Sequence, residues 1–270
     1  MQISVFYDHI QEASQQSGLS LQKILSLVHS FGIDALECSI DAVKGNESSM
    51  RSMFEAAGLQ VSCLYGTFQL AKHPNQKEVY EFIDSAARIG CDKVLIIPGF
   101  ISPNALSFLR KHAMRKMASS LTKLCDYAAH KHITVTMEDF DDCIAPFSTD
   151  EELLWFLKEV PFLSCTFDTG NFIYQGIDEL QAFQKLRDKI VHIHCKDRAL
   201  FGVSGEIPKI TVEGQYLYTA SVGDGCIPMK KIFDLLHTIG YDGTLAIEHF
   251  GAPDQLAYLR KSAAWIRANY

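Results

Sequence analysis

A chain of 270 residues with 47% apolar content is long enough to bury a large core and too apolar to stay disordered. Its formal charge of −7 argues against a dedicated nucleic-acid binder, and no apolar run reaches the roughly 20 residues of a membrane span. Eight cysteines without a CxxC pair, and a start that runs from Met1 straight into a strand pattern, set the expectation of reduced thiols in a cytoplasmic protein.

In chain order, strands are expected near residues 2–6, 34–38, 60–65, 93–97, 133–138, 163–168, 189–194 and 244–248. Each is a short run rich in Val, Ile and Leu, as buried parallel strands are. Amphipathic helices separate them, among them "SLQKILSLVHSF" and "HAMRKMASSLTKLCDYAAHK". A helix-to-strand junction recurs at Gly32, Gly58, Gly90 and Gly240, where glycine suits the left-handed position that closes a helix. "AAHKHITVTMEDF" is the same unit without its glycine. "STDEELLWFL" reads as a capping box, with Ser148 as the cap and Glu151 three residues on.

Eight strands alternating with helices predict an α/β fold, a (β/α)8 TIM barrel spanning residues 1–270 as one domain. A doubly wound open sheet fits less well, since it usually stops at five or six strands and no GxGxxG loop follows the first strand. The segment Arg198 to Pro228 is the longest irregular stretch, with "GQYLYTAS" as a candidate hairpin arm. In a barrel, a loop that follows a strand lies on the catalytic face, and loops this long are commonly functional.

The last four barrel strands share a feature. Each apolar run ends in a polar residue: Glu138, Asp168, His194 and Glu248. Charged groups at such positions must be paired or bound to a cation. Three carboxylates and an imidazole suit one divalent ion: the oxygens favour Mn²⁺ or Mg²⁺, and the nitrogen also admits Co²⁺, Zn²⁺ or Fe²⁺. Unrelated roles, such as a helix cap, a core histidine and lysine-paired carboxylates, are the alternative.

The motifs "TMEDF", "FDTGNF", "HIHCKD", "SVGDG" and "GYDGTLAIE", in that order, resemble those of the sugar phosphate isomerase/epimerase superfamily, the xylose isomerase-like barrels. That group includes ketose 3-epimerases, inosose dehydratases and the endonuclease IV type of DNA-repair enzyme. The resemblance implies a divalent metal held by Glu138, Asp168, His194 and Glu248, with Glu138 and Glu248 as acid and base on opposite faces of a small sugar or sugar phosphate. The family often has a histidine at the position of Asn171, where a neutral amide would meet the substrate's oxygens instead.

Those groups suit removal of a proton beside a carbonyl, by epimerisation or isomerisation, or by the dehydration of a keto-polyol that begins the same way. An abasic-DNA nuclease would need further histidines and fits the acidic charge poorly. A non-catalytic sugar-binding barrel would have no need of two metal-bound glutamates.

Asn171, Arg198, Lys196, His192 and Glu37 complete the candidate substrate-binding set. Arg198 is placed to hold a phosphate. A pairing of Lys196 with Asp197 is the first expectation for that lysine. His192 shares a strand face with His194 but lies one pleat deeper, which suits an interior hydrogen bond. Glu37 could reach the barrel mouth or form a local salt bridge. Tyr7, His9 and Tyr65 are expected in the core, and His249 in packing or a loop. Barrels of this group often form dimers or tetramers, and a partner of that kind is expected here, with no nucleic acid and no membrane.

Overall fold

A computed structural model describes every residue of the chain except 75 and 103. Eight parallel strands close into a barrel: β1 (Gln2–Phe6), β2 (Ala35–Ser39), β3 (Gln60–Thr67), β4 (Lys93–Ile97), β5 (Thr134–Met137), β6 (Ser164–Asp168), β7 (Ile190–Cys195) and β11 (Thr244–Ile247). Neighbours in sequence are neighbours in the ring, and β11 pairs with both β7 and β1 to shut it. Three further strands, β8 (Asp197–Ala199), β9 (Lys209–Ile210) and β10 (Tyr216–Ala220), form a separate antiparallel sheet.

Helices pack outside the ring, and large side chains such as Phe54, Phe82, Phe156, Phe183 and Phe233 fill the layer between. The barrel interior is partly polar. Thr166 donates to Thr136 at 2.8 Å, and Ser4 donates to Glu37 at 3.2 Å, all buried. Parallel pairing slips by one residue at Leu36/Glu37 and at Cys165/Thr166, both within this polar layer.

The glycine junctions take the left-handed conformation as expected, with φ of 82° at Gly32, 79° at Gly58, 84° at Gly90 and 67° at Gly240. In the unit without a glycine, His132 takes that place with φ 58°, one of the few side chains that tolerate it. The helix Asp150–Glu159 is capped one residue later than its sequence suggests: Thr149 accepts from the Glu152 N–H at 3.2 Å, and Ser148 lies outside. The threonine is the residue with extended backbone angles, which an N-cap needs.

The segment after β7 does fold back as an arm, with β10 pairing to β8 on one side and β9 on the other. Asp197 anchors it. Its carboxylate accepts from the backbone N–H groups of Arg198, Gly223, Gly225 and Ile227 at 2.8–3.2 Å. No helix among the described residues is long and apolar enough to cross a membrane.

Candidate metal centre and cavity

The barrel brings four residues from its last four strands to one point. Asp168 ends β6 and lies beside His194 of β7 in the ladder. Glu138 and Glu248 follow β5 and β11 directly, and the Glu248 N–H donates to the Cys195 carbonyl, which ties Glu248 to the end of β7. One donor atom from each of Glu138, Asp168, His194 and Glu248 lies within 4.8 Å of all the others. His194 Nδ1 is 2.8 Å from Glu138 Oε2, 3.2 Å from Glu248 Oε2 and 3.9 Å from Asp168 Oδ2.

All four are buried, yet Glu138 Oε2, Asp168 Oδ2 and His194 Nδ1 have no hydrogen bond of acceptable geometry. Buried polar atoms without partners are costly, and three carboxylates facing one imidazole are costlier still. The donor set and its unpartnered atoms fit one divalent cation, the oxygen-rich kind with a single nitrogen.

The other ring nitrogen of His194 has a partner. Glu37, buried on β2, receives His194 Nε2 at 3.2 Å and His192 Nε2 at 2.5 Å. A carboxylate at Nε2 holds the proton there and leaves Nδ1 as a lone pair toward the carboxylate cluster. Glu37 and His192 do not line the cavity. The expectation that they bind substrate is corrected: both sit behind His194, Glu37 through a contact between residues 155 apart in sequence.

Lys196 is also placed differently from its sequence expectation. Its ammonium reaches Glu248 Oε1 at 2.5 Å, Asn171 Oδ1 at 2.8 Å and Asp168 Oδ2 at 3.6 Å, while Asp197 is occupied by the loop amides. The "DTGN" turn makes this possible. Thr169 and Lys196 exchange hydrogen bonds at 2.9 Å, and Gly170 passes so close to the Lys196 carbonyl that an added Cβ would meet it at 2.4 Å. Asn171 is fixed in turn by donating to the Asp139 carbonyl at 3.0 Å.

The charges are unequal. Burial alone would raise Glu248, but the Lys196 ammonium and the His194 ring outweigh it and hold the group well below the usual carboxylate range. Burial raises Glu138, with His194 opposing and Glu248 adding to the rise. Asp139, buried with neither carboxylate oxygen bonded, is pushed well up by burial and by Asp168 and Glu138.

Above the cluster opens a cavity of about 360 Å³. Phe6, Tyr65, Phe140 and Phe250 form its aromatic wall. Phe6 meets His194 edge-on with ring centroids 5.0 Å apart. Tyr65 is therefore a wall of the mouth, with its hydroxyl donating to Asp8, and not a core residue. Tyr7 packs on Phe54 and His9 stacks on His249, as core residues. Asn171, Lys196 and Arg198 all line the cavity. Asp141, Lys209, Leu217 and Thr219 join them and were not singled out in the sequence. Asp141 stands three residues past Glu138 in a strand-end loop, which is a usable signal. Lys209 is placed by the fold of the arm, which leaves no local pattern.

A family model described as xylose isomerase-like TIM barrel matches residues 25–269. The chain belongs to that family. Among curated relatives, it is 26% identical to the inosose dehydratase of Geobacillus thermodenitrificans, over 56% of this chain and 53% of that protein. The match thus spans about half of that relative's length. Among solved structures, the probable 3-DHS dehydratase AsbF of Bacillus anthracis superposes with a TM-score of 0.74 at 15% identity, covering 99% of both chains. The D-allulose 3-epimerase of Methylomonas sp. superposes with a TM-score of 0.73 at 15% identity, covering 100% of this chain and 98% of that one. These relatives and neighbours of the xylose isomerase-like chain are sugar epimerases and dehydratases, and at such identities the structural likeness speaks for the fold.

Proposed function

We propose that the chain is a divalent-metal-dependent enzyme that removes a proton from the carbon beside a carbonyl of a small ketose or ketose phosphate, and so epimerises or isomerises it. The observation that carries this reading is the convergence of Glu138, Asp168, His194 and Glu248, with unpartnered donor atoms, beneath a cavity of sugar size. A cation held by those four residues supplies Lewis-acid polarisation of the substrate carbonyl.

The chain's own groups supply the rest. Glu248 is the base: Lys196 holds it ionised and oriented at the cavity edge. Glu138, on the far side of His194 from β11, is the group that returns the proton. Asn171 presents its amide to the substrate oxygens, and Lys196 keeps that amide turned inward. The aromatic wall excludes water and stacks on the apolar face of a sugar.

A second reading is dehydration of a cyclic keto-polyol, which starts with the same proton loss; the similarity to an inosose dehydratase favours keeping it. The enzyme reading includes action in a reducing, cytoplasmic compartment, supported by eight free cysteines, six of them buried. It also includes assembly as a homo-dimer or tetramer through the arm, where Phe201 is 87% and Ile207 91% exposed.

The test is product analysis of a panel of ketoses, ketose phosphates and cyclic keto-polyols incubated with metal-loaded protein. Inversion or carbonyl migration supports the first reading, and loss of water supports the second. No conversion of any compound overturns both.

A further inference from the structure

The cavity has two chemically distinct ends. The carboxylate cluster forms the inner one. The outer one is built by the small sheet of the arm, and its register decides what faces inward. Arg198 on β8 stands opposite Thr219 of β10, and Lys209 on β9 stands opposite Leu217. Thr219 and Leu217 are two apart on one strand and share a face. All four of these residues line the cavity, so the arm presents a face with two cations on it.

Those cations lack a matching number of anions. Lys209 pairs directly with Asp141, Arg198 Nη2 lies 3.4 Å from the same carboxylate, and Lys196 reaches toward it at 3.9 Å. Lys196 is already held by Glu248, so Asp141 is the one carboxylate that Arg198 and Lys209 meet among the described residues. Arg198 is only 7% exposed, and its Nε has no hydrogen-bond partner. The ring of Tyr174 holds both cations in place, with Arg198 Cζ 5.1 Å and Lys209 Nζ 5.0 Å from its centroid. A buried guanidinium with a free donor, beside a second cation and sharing one carboxylate, is an anion site only partly filled from within.

We propose that the substrate carries an anionic group, a phosphate or a carboxylate, at the end away from the reacting carbonyl, and that Arg198 and Lys209 take it up in exchange for Asp141. This rests on the keto-sugar reading of the site and narrows it to anionic substrates. Asp141 neutralises the two cations in part in the free protein, and a substrate oxyanion takes its place there, while Lys196, 3.9 Å away, stays beside the displaced carboxylate.

The test uses the magnesium-loaded full chain. Its probes are two matched pairs, a ketose with its terminal phosphate and a neutral cyclic polyol ketone with its carboxylate, together with inorganic phosphate. Solvent-deuterium exchange is expected to be at least about tenfold more efficient for the anionic member of one pair, the scale of one charged hydrogen bond. Which pair shows it separates phosphate from carboxylate. Lys209→Met and Arg198→Met should cut that preference toward parity and weaken binding of inorganic phosphate, followed by its phosphorus resonance. Asp141→Asn should tighten phosphate binding, because the internal competitor is gone. A purely structural role for these residues would not produce that opposite sign. Equal exchange of neutral and anionic members, or phosphate binding unaltered in Lys209→Met, overturns the inference.

Exchange with no compound at all removes the keto-sugar reading instead. The phosphate titration then decides the anion site alone: weaker binding in Lys209→Met with tighter binding in Asp141→Asn upholds it, and no binding overturns it.

Discussion

His192 and His194 show how far two identical side chains on one strand face can differ. Both rings bond to Glu37, but only His194 also reaches the carboxylate cluster, through Nδ1. His194→Ala should abolish metal binding and activity together. His192→Ala should leave a metal site of lower affinity, and Glu37→Gln should weaken metal binding by about 10- to 100-fold, as loss of a ligand's supporting hydrogen bond commonly does. Metal titration of the three purified variants checks this, and equal loss in all three would contradict the unequal roles. The charged residue in the "ALECSI" run was visible in sequence, but its partners were not, because they lie on β7, three strands away around the ring and 155 and 157 residues on in sequence.

Glu179 offers a pH prediction away from the site. It opens the helix Glu179–Leu186, is buried, and has an oxygen without a partner. Burial, helped by Asp178 and Asp197, pushes its carboxyl up from 4.5 to about 7. The folded chain therefore holds a proton that the unfolded chain has released. The stabilisation is present below about pH 4.5 and is lost as the pH rises to about 7, with an upper limit of about 3 kcal/mol. Glu179→Gln should remove that slope. Denaturant titrations at pH 5 and pH 8 should show the variant gaining on the wild type at the higher pH, and parallel curves would contradict the assignment.

At the scale of elements, the eight barrel strands were legible to within a residue or two, because parallel strands buried on both faces read as unbroken apolar runs. The boundary at β5 is informative. It ends at Met137, one residue short of the expected span, where Glu138 leaves the ladder for the mouth. The arm was legible only as a hairpin candidate. Its β8 and β9 are three and two residues long, too short for a periodic pattern, and its two inward cations follow from register. The "SVGDG" motif gains a physical reason: its amides bind Asp197, and a Cβ on Gly225 would lie 2.1 Å from that carboxylate and 2.3 Å from the Arg198 carbonyl. Asp197→Ala leaves buried amides unpaired and should cost roughly 3 kcal/mol. Gly225→Ala should displace the arm. Both should raise hydrogen exchange across residues 198–227 while the barrel strands stay protected. Unchanged protection in the arm would show that Asp197 does not anchor it.

The whole molecule combines a ring, which brings Glu138, Asp168, His194 and Glu248 to one point, with an arm whose residues line the cavity above it. The ring could be read from sequence, and so could the four residues, since each ends an apolar run on successive strands. The cavity walls could not, because Phe6, Tyr65, Asp141 and Lys209 meet only after closure of the barrel and return of the arm. The arm's exposed apolar residues predict self-association: sedimentation should show a dimer or tetramer, and Phe201→Ser combined with Val203→Ser should shift it toward monomer. A wild-type monomer at all concentrations would contradict that part of the account.

The most direct measurement of the central claim is deuterium uptake from heavy water into a panel of ketoses, ketose phosphates and cyclic keto-polyols, followed by proton resonance. The account predicts uptake at the carbon beside the carbonyl with metal-loaded protein, its loss on chelation, its return on adding a divalent ion, and its absence in Glu138→Gln and Glu248→Gln. Uptake that survives chelation or both substitutions, or no uptake into any compound by fully metal-loaded protein, would contradict it.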